Sequence, residues 1–343
     1  VRLRDGLGNL ALAAAATLVA LLCTELGFRL AERLAPAPPP LDPEIAALPR
    51  LETYLELTRP DTRGRQGDVL WRTNGAGMRG PEAAREPAPG TFRIALYGDS
   101  FAAGMGVPEE QTYALRLERA LAESAGTPVE VLNCGQPGLN ARTVALHARD
   151  LGRFFRANLY VYGYTLNDLF ENEEQVFDVP PPDPHATRIA GVDSRLLRWL
   201  RPRWIGLRER FDPNPYARLV LRSYADPQML ARLSGPLAEL AALGARDRAC
   251  VHVFVHTEPV ALRFGHPFED VYERVAQVAR EAGLSASVSF PAFRGRDSTP
   301  LRLSVDDGHP NAEGHRIMAE SLYQALRALP ARCGVPPLRA SGA

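Results

Sequence analysis

Three parts of this sequence hold residue types whose spacing suits nucleophilic chemistry. Gly98-Asp99-Ser100 directly follows the apolar run Ile94 to Tyr97, so a strand would present the serine at its carboxyl end. A serine hydroxyl is a weak nucleophile on its own; it needs a base, and the base needs a group that fixes its tautomer. Near the C-terminus, Asp306 and His309 are separated by two residues, just before a helix opened by Pro310 and Asn311. Among the seven histidines, His309 has the best setting for a base. His315 falls inside the helix and His252 inside a strand. His256 ends a strand and is a candidate substrate contact. The third part is a pair of loops that suit an oxyanion hole, with a backbone N–H at Gly138 and a side-chain amide at Asn167.

Each feature also has a plainer reading. A serine after a strand often caps a helix, Gly135 and Gly138 turn a chain, and Asn167-Asp168 can cap. A metal site from Asp306, Asp307, His309 and His315 competes. It has no further ligands at a recognisable spacing, so no metal is expected.

Such residues converge only if the elements carrying them end at one edge. From Thr91 onward, β-prone runs alternate with helical patterns: FRIALY, then 113–124; VEVLN, then 143–155; LYVYGY; later CVHVFVH, then 268–282; SASVSF; and finally 311–329. Continuous apolar strands joined by helices predict an α/β fold with a parallel sheet covered on both faces and its functional groups at the carboxyl ends. The alternation breaks between Asp168 and about Leu243, which predicts a helical insertion at about 169–243. Within it, Arg188 to Arg222 holds nine arginines beside Trp199 and Trp204. A solvated helix with an ordinary packed face is preferred there over a lid or a membrane-surface helix.

Four short motifs in order make this chain similar to the SGNH, or GDSL-type, hydrolase superfamily: GDS at 98–100, NCGQPG at 133–138, ND at 167–168 and DDGH at 306–309. The likeness spans roughly Thr91 to Leu329. It implies a three-layer αβα sandwich with about five parallel strands, flavodoxin-like. It implies Ser100 as nucleophile, His309 as base and Asp306 orienting the imidazole, with Ser100 N–H, Gly138 N–H and the Asn167 side chain as the oxyanion hole. The sequence departs from the pattern at Thr165, where the family often has glycine. The implied reaction is cleavage of a lipid, carbohydrate or small acyl ester through an acyl-enzyme, with no cofactor. Acyl transfer to an envelope polysaccharide and a catalytically idle binding protein are the alternatives. No G-x-S-x-G elbow is present.

The flanks carry the remaining expectations. Residues 1–35 are expected to be a membrane anchor or signal segment, because the run Leu7–Cys23 before Glu25 is apolar except for Asn9 and Thr17. An uncleaved anchor with an extracytoplasmic catalytic domain is favoured over a cleaved leader. Residues 36–90 are a Pro/Arg/Gly-rich linker and extension, 91–330 the hydrolase domain and 331–343 a tail. Formal net charge is zero and nothing points to nucleic acid; the chain has no lysine, which excludes Schiff-base chemistry. Cys250 and Cys333 fall on one edge of a parallel sheet and are candidates for a disulfide.

Overall fold

The computed structural model describes residues 2–35, 41–152, 154–170, 188–189, 192–208, 215–262, 265–304 and 307–337. They fall into two compact units: 1–40 with 181–208, and 41–180 with 209–343.

The larger unit is built on five strands: β1 (Phe92–Gly98), β2 (Val129–Asn133), β3 (Leu159–Tyr164), β4 (Cys250–Val255) and β5 (Ser285–Val288). They pair in the order β2-β1-β3-β4-β5, and every pair is parallel. The central strands β1 and β3 are buried along their whole length, as the apolar runs Ile94–Tyr97 and Leu159–Tyr164 require when both sheet faces are covered, while the buried Arg93 of β1 is paired with Glu130 at 2.7 Å. The helices include α2 (Tyr113–Ala125), α3 (Ala141–Leu151), α5 (Ser234–Asp247), α6 (Glu269–Glu281) and α7 (Ala312–Arg327), with α1 (Arg2–Leu34) and α4 (Arg195–Arg208) in the smaller unit.

The sheet order reverses at β1. The chain runs outward from β1 to β2 and then back past β1 to β3, and right-handed crossovers in opposite directions land on opposite faces. Accordingly α2 packs with α7, and α3 packs with α5. Register brings Leu96 opposite both Asn133 and Val161, and Gly98 opposite Gly163, so the carboxyl ends of β1, β2 and β3 are level. A reversal point of this kind opens a crevice at the carboxyl edge, where the three loops of interest emerge.

Two parts differ from the sequence expectation. Helix α5 begins inside the expected insertion but packs on α3 and β4, so it is the crossover helix from β3 to β4 and the insertion ends near 233. Residues 41–90 fold onto the larger unit. The Trp71 indole packs with Leu57 and Ala103 and donates to Leu57 O at 2.8 Å. The buried Arg79 guanidinium lies 4.2 Å over the Trp71 ring and donates to the carbonyls of Ala103, Gly104 and Val107. A segment without periodicity thus braces the loop that follows Ser100.

Cys250, at the start of β4, and Cys333, beyond α7, form a disulfide that closes an 83-residue separation. In the smaller unit, α1 contains a stretch, Leu12–Leu34, long and apolar enough to cross a membrane by length and composition.

Candidate active site

Ser100 opens a short helix, Ser100–Ala103, immediately after β1, with Asp99 as its N-cap accepting the Phe101 N–H at 3.0 Å. The turn is possible because residue 98 is glycine. Its φ is 154°, and a Cβ there would stand 2.5 Å from the Gly163 carbonyl oxygen and 2.7 Å from Ala102 Cβ. The strand therefore passes straight into the helix and leaves the Ser100 hydroxyl at the edge.

That hydroxyl is 2.8 Å from His309 Nε2. His309 lies on the loop between Thr299–Leu301 and α7. The loop is pinned by Leu303 N–H on His309 O at 2.9 Å and by Asn311 N–H on Leu301 O at 3.0 Å. Asn311 then caps α7 through the Glu313 and Gly314 N–H groups. His309 Nδ1 is 2.6 Å from Asp307 Oδ1, and the His309 N–H donates to the same oxygen at 3.0 Å. Asp306, the carboxylate the D-x-x-H spacing points to, lies outside the described residues.

Behind the serine runs a second chain of hydrogen bonds. Thr165 Oγ1 donates to Asp99 Oδ1 at 2.9 Å and is 3.0 Å from His256 Nδ1; His256 Nε2 is 3.1 Å from the Tyr113 hydroxyl. Thr165 has one hydroxyl proton, and giving it to Asp99 makes His256 Nδ1–H the donor to Thr165. His256 Nε2 then accepts from Tyr113, which fixes the tautomer. Burial holds the His256 pKa down to about 3, so the ring is neutral. His256 is completely buried with both nitrogens engaged, which removes it as the expected substrate contact. Gly163 makes room for it, since a Cβ there would lie 2.6 Å from the imidazole.

Asp99, where this chain ends, also holds the Asn167 side chain. Asn167 sits on the short helix Leu166–Leu169 that follows β3, half-buried, with Thr165 as the cap. Gly138 is on the neighbouring loop after β2. That loop is held against β1 by Cys134 N–H on Leu96 O at 2.8 Å and Gln136 N–H on Gly98 O at 3.0 Å, and Gly138 follows with φ 82°. The loops bearing Gly138 and Asn167 are thus both tied to the Gly98–Asp99 turn.

Charge around the histidine is one-sided. Burial alone would lower the His309 pKa, but the Asp307 hydrogen bond and charge, with the charges of Asp99 and Glu258, raise it above its ordinary value. Burial likewise opposes ionisation of Asp307, and the bond to His309 outweighs it and holds the carboxyl below the usual range. Burial raises Asp99. Glu258, just beyond β4, is pushed by burial up to about 7 and accepts the Tyr216 hydroxyl at 2.6 Å.

Residues 96–317 match the model of the GDSL-like lipase/acylhydrolase family, which is more than half of the chain. The chain belongs to this family. Its members cleave esters, and this chain is a hydrolase of that kind. No curated protein matches it in sequence. Among solved structures it is similar to an α/β hydrolase enzyme from the metagenome of Lake Arreo, Spain (17% identity, covering 68% of this chain and 94% of that one, TM-score 0.44). It is also similar to a lipolytic G-D-S-L protein from Veillonella parvula (12%, 69% and 100%, 0.41) and to a catalytic mutant of an acetylxylan esterase from Geobacillus stearothermophilus (13%, 68% and 94%, 0.43).

Of the GDSL motif residues, Ser100 and His309 are in direct contact, and Asn167 reaches the same turn through Asp99. His315 points elsewhere: it is buried in α7, and its Nδ1 accepts the Tyr113 N–H at 3.2 Å. Sequence reasoning missed Asp307, Thr165, Tyr113 and Glu258 as members of the constellation. For Asp307 a signal was available. An aspartate two residues before another residue readily accepts that residue's backbone N–H, which brings its carboxylate beside the His309 side chain. Glu258 follows His256 by two residues at the end of β4, an edge position of the same kind as Ser100.

Proposed function

We propose that this GDSL hydrolase is a serine esterase in which Ser100 attacks the ester carbonyl and passes its proton to His309 Nε2. The carbonyl oxygen becomes an oxyanion received by the Ser100 and Gly138 N–H groups and the Asn167 amide. Collapse breaks the bond to the alcohol, which leaves with the proton from His309, and the acyl group stays on Ser100. Water then attacks with His309 again taking the proton, and the acid is released. The observation that carries this reading is the 2.8 Å contact between Ser100 Oγ and His309 Nε2, with Nδ1 held by a carboxylate. The described contact supports Asp307 as that carboxylate, and the D-x-x-H spacing supports Asp306.

The reading extends to location. The apolar α1 supports a membrane anchor, and the Cys250–Cys333 disulfide supports an oxidising, extracytoplasmic setting. Ester substrates there include lipid and carbohydrate acyl esters. A sugar hydroxyl in place of water would turn the same acyl-enzyme into an acyltransferase. The test is hydrolysis of a short-chain aryl ester by the full chain against Ser100→Ala and His309→Ala, with a loss of about 10³-fold or more expected for either. Equal rates in all three proteins would reject the site. Product that appears only with an added polysaccharide would move the assignment to acyl transfer.

A further inference from the structure

Within the smaller unit, α4 is fastened to the carboxyl third of α1. Glu25 accepts the Ser194 hydroxyl at 3.0 Å and the N–H groups of Arg195 and Leu196 at 3.0 and 2.9 Å, which fills the N-terminus of α4. Arg195 donates to Glu32 at 2.6 Å, Arg29 donates to Asp193 O at 2.7 Å, and the Phe28 and Trp199 rings are 5.6 Å apart. The join starts at Glu25, the first charged residue after the 19-residue uncharged run 6–24 of α1, so the segment taken as crossing the bilayer is that run and not the carboxyl third that holds α4. In an anchored chain that level is the boundary between hydrocarbon and headgroups.

The two sides of α4 differ in character. Leu196, Trp199, Leu200, Trp204 and Leu207 recur at helical spacing on one arc; Arg195, Arg198 and Arg201 fall on the other. Despite the contact with α1, the apolar arc stays open, with Trp199 42%, Trp204 65% and Leu207 44% exposed. The helix carries five arginines and no acid. Arg203 lays its guanidinium 3.8 Å over Trp199, so even the arginine on the apolar side is stacked on a ring. A solvated helix has no use for two exposed indoles, whereas indoles flanked by arginines suit the interface of an anionic bilayer.

We infer that α4 is an interfacial helix: its Trp199–Leu207 face lies in the headgroup region of an anionic lipid bilayer beside α1. This rests on α1 being a membrane anchor. Its occupant is the lipid surface, continuous with the bilayer that α1 enters. The preference for an ordinary solvated helix formed from sequence is replaced, because the apolar arc is not covered by the unit that contains it.

The chain has three tryptophans, and the third, Trp71, is 1% exposed in the larger unit, so emission quenching by lipids reports on α4. Full-length protein is reconstituted in phosphatidylcholine/phosphatidylglycerol vesicles carrying a spin label near the headgroup or deep in the acyl chain. The shallow label is expected to quench at least about two-fold more than the deep one, and Trp199→Phe/Trp204→Phe to lose most of that quenching. Alkaline carbonate extraction of the same vesicles tests the anchor separately. Protein that resists extraction but shows no shallow quenching, or equal quenching in the double variant, overturns the interfacial helix and leaves the anchor standing. Protein stripped by carbonate yet still shallowly quenched overturns the anchor alone. The thermal midpoint of the double variant checks that the fold is kept.

Discussion

One oxygen of Asp307 serves His309 twice, taking Nδ1 at 2.6 Å and the backbone N–H at 3.0 Å, while the opposite ring nitrogen faces Ser100. The imidazole is therefore fixed by a carboxylate anchored in its own loop.

This arrangement separates two neighbouring aspartates. Asp307→Asn should lower kcat for aryl-ester hydrolysis by about 10²-fold or more, since a misplaced tautomer disables the base. Asp306→Asn should change it by less than about 3-fold on the same argument. Steady-state kinetics of the two variants decides the matter, and the reverse ranking would give the role to Asp306.

Asp99 depends on Thr165 and His256 for its setting. Replacing Thr165 by valine keeps the shape and removes both bonds, so Asp99 and the Asn167 amide lose their fixed relation. Direct loss of an oxyanion donor costs about 10²- to 10³-fold, and an effect one step removed should be about 10-fold in kcat with KM unchanged. Thr165→Ser should restore the rate. A valine variant with wild-type kcat would show that this chain does not position the donors.

The pH profile follows from the charges facing His309. The base works when neutral, and its pKa lies above the ordinary 6.5, so the acid limb of kcat/KM should have its midpoint above that value. Glu258→Gln removes one of the raising charges and should move the limb to lower pH. Stability shifts as well. Glu258 binds its proton more tightly folded (about 7) than unfolded (4.5), so its contribution is complete below 4.5 and is lost as pH rises to about 7. The glutamine variant should lose that fall in stability across the window; denaturant titrations at several pH values that still show it would contradict the assignment.

Arg79 bonds three carbonyls in the loop after Ser100 from within the protein interior. Arg79→Met leaves those acceptors unpaired and should lower stability by about 3 kcal/mol, a fall of roughly 10 °C in Tm. A scanning-calorimetry change of no more than ~1 °C would show that the loop stands without it.

What could be read from sequence was what local pattern determines. The short, β-branched and aromatic runs of β1, β2, β3 and β4 between turn residues and helical patterns pointed to strands, and the contact between Ser100 and His309 follows from their places at a strand end and before a helix. The Asp306–Asp307 choice was not, because two adjacent residues of the same type differ only in loop geometry. Arg79 was hidden because its partners lie 24 to 28 residues away in a stretch without periodicity. Helix α5 was absorbed into the insertion because its role appears only in its packing on α3 and β4.

The central claim is that Ser100, activated by His309, is the acylated residue. A fluorophosphonate ester that phosphonylates activated serines, followed by intact-mass and peptide mapping, tests it directly. One adduct on Ser100 is predicted, absent in Ser100→Ala and formed at least about 10²-fold more slowly in His309→Ala. An adduct on another residue, or labelling of Ser100 at an unchanged rate without His309, would contradict it.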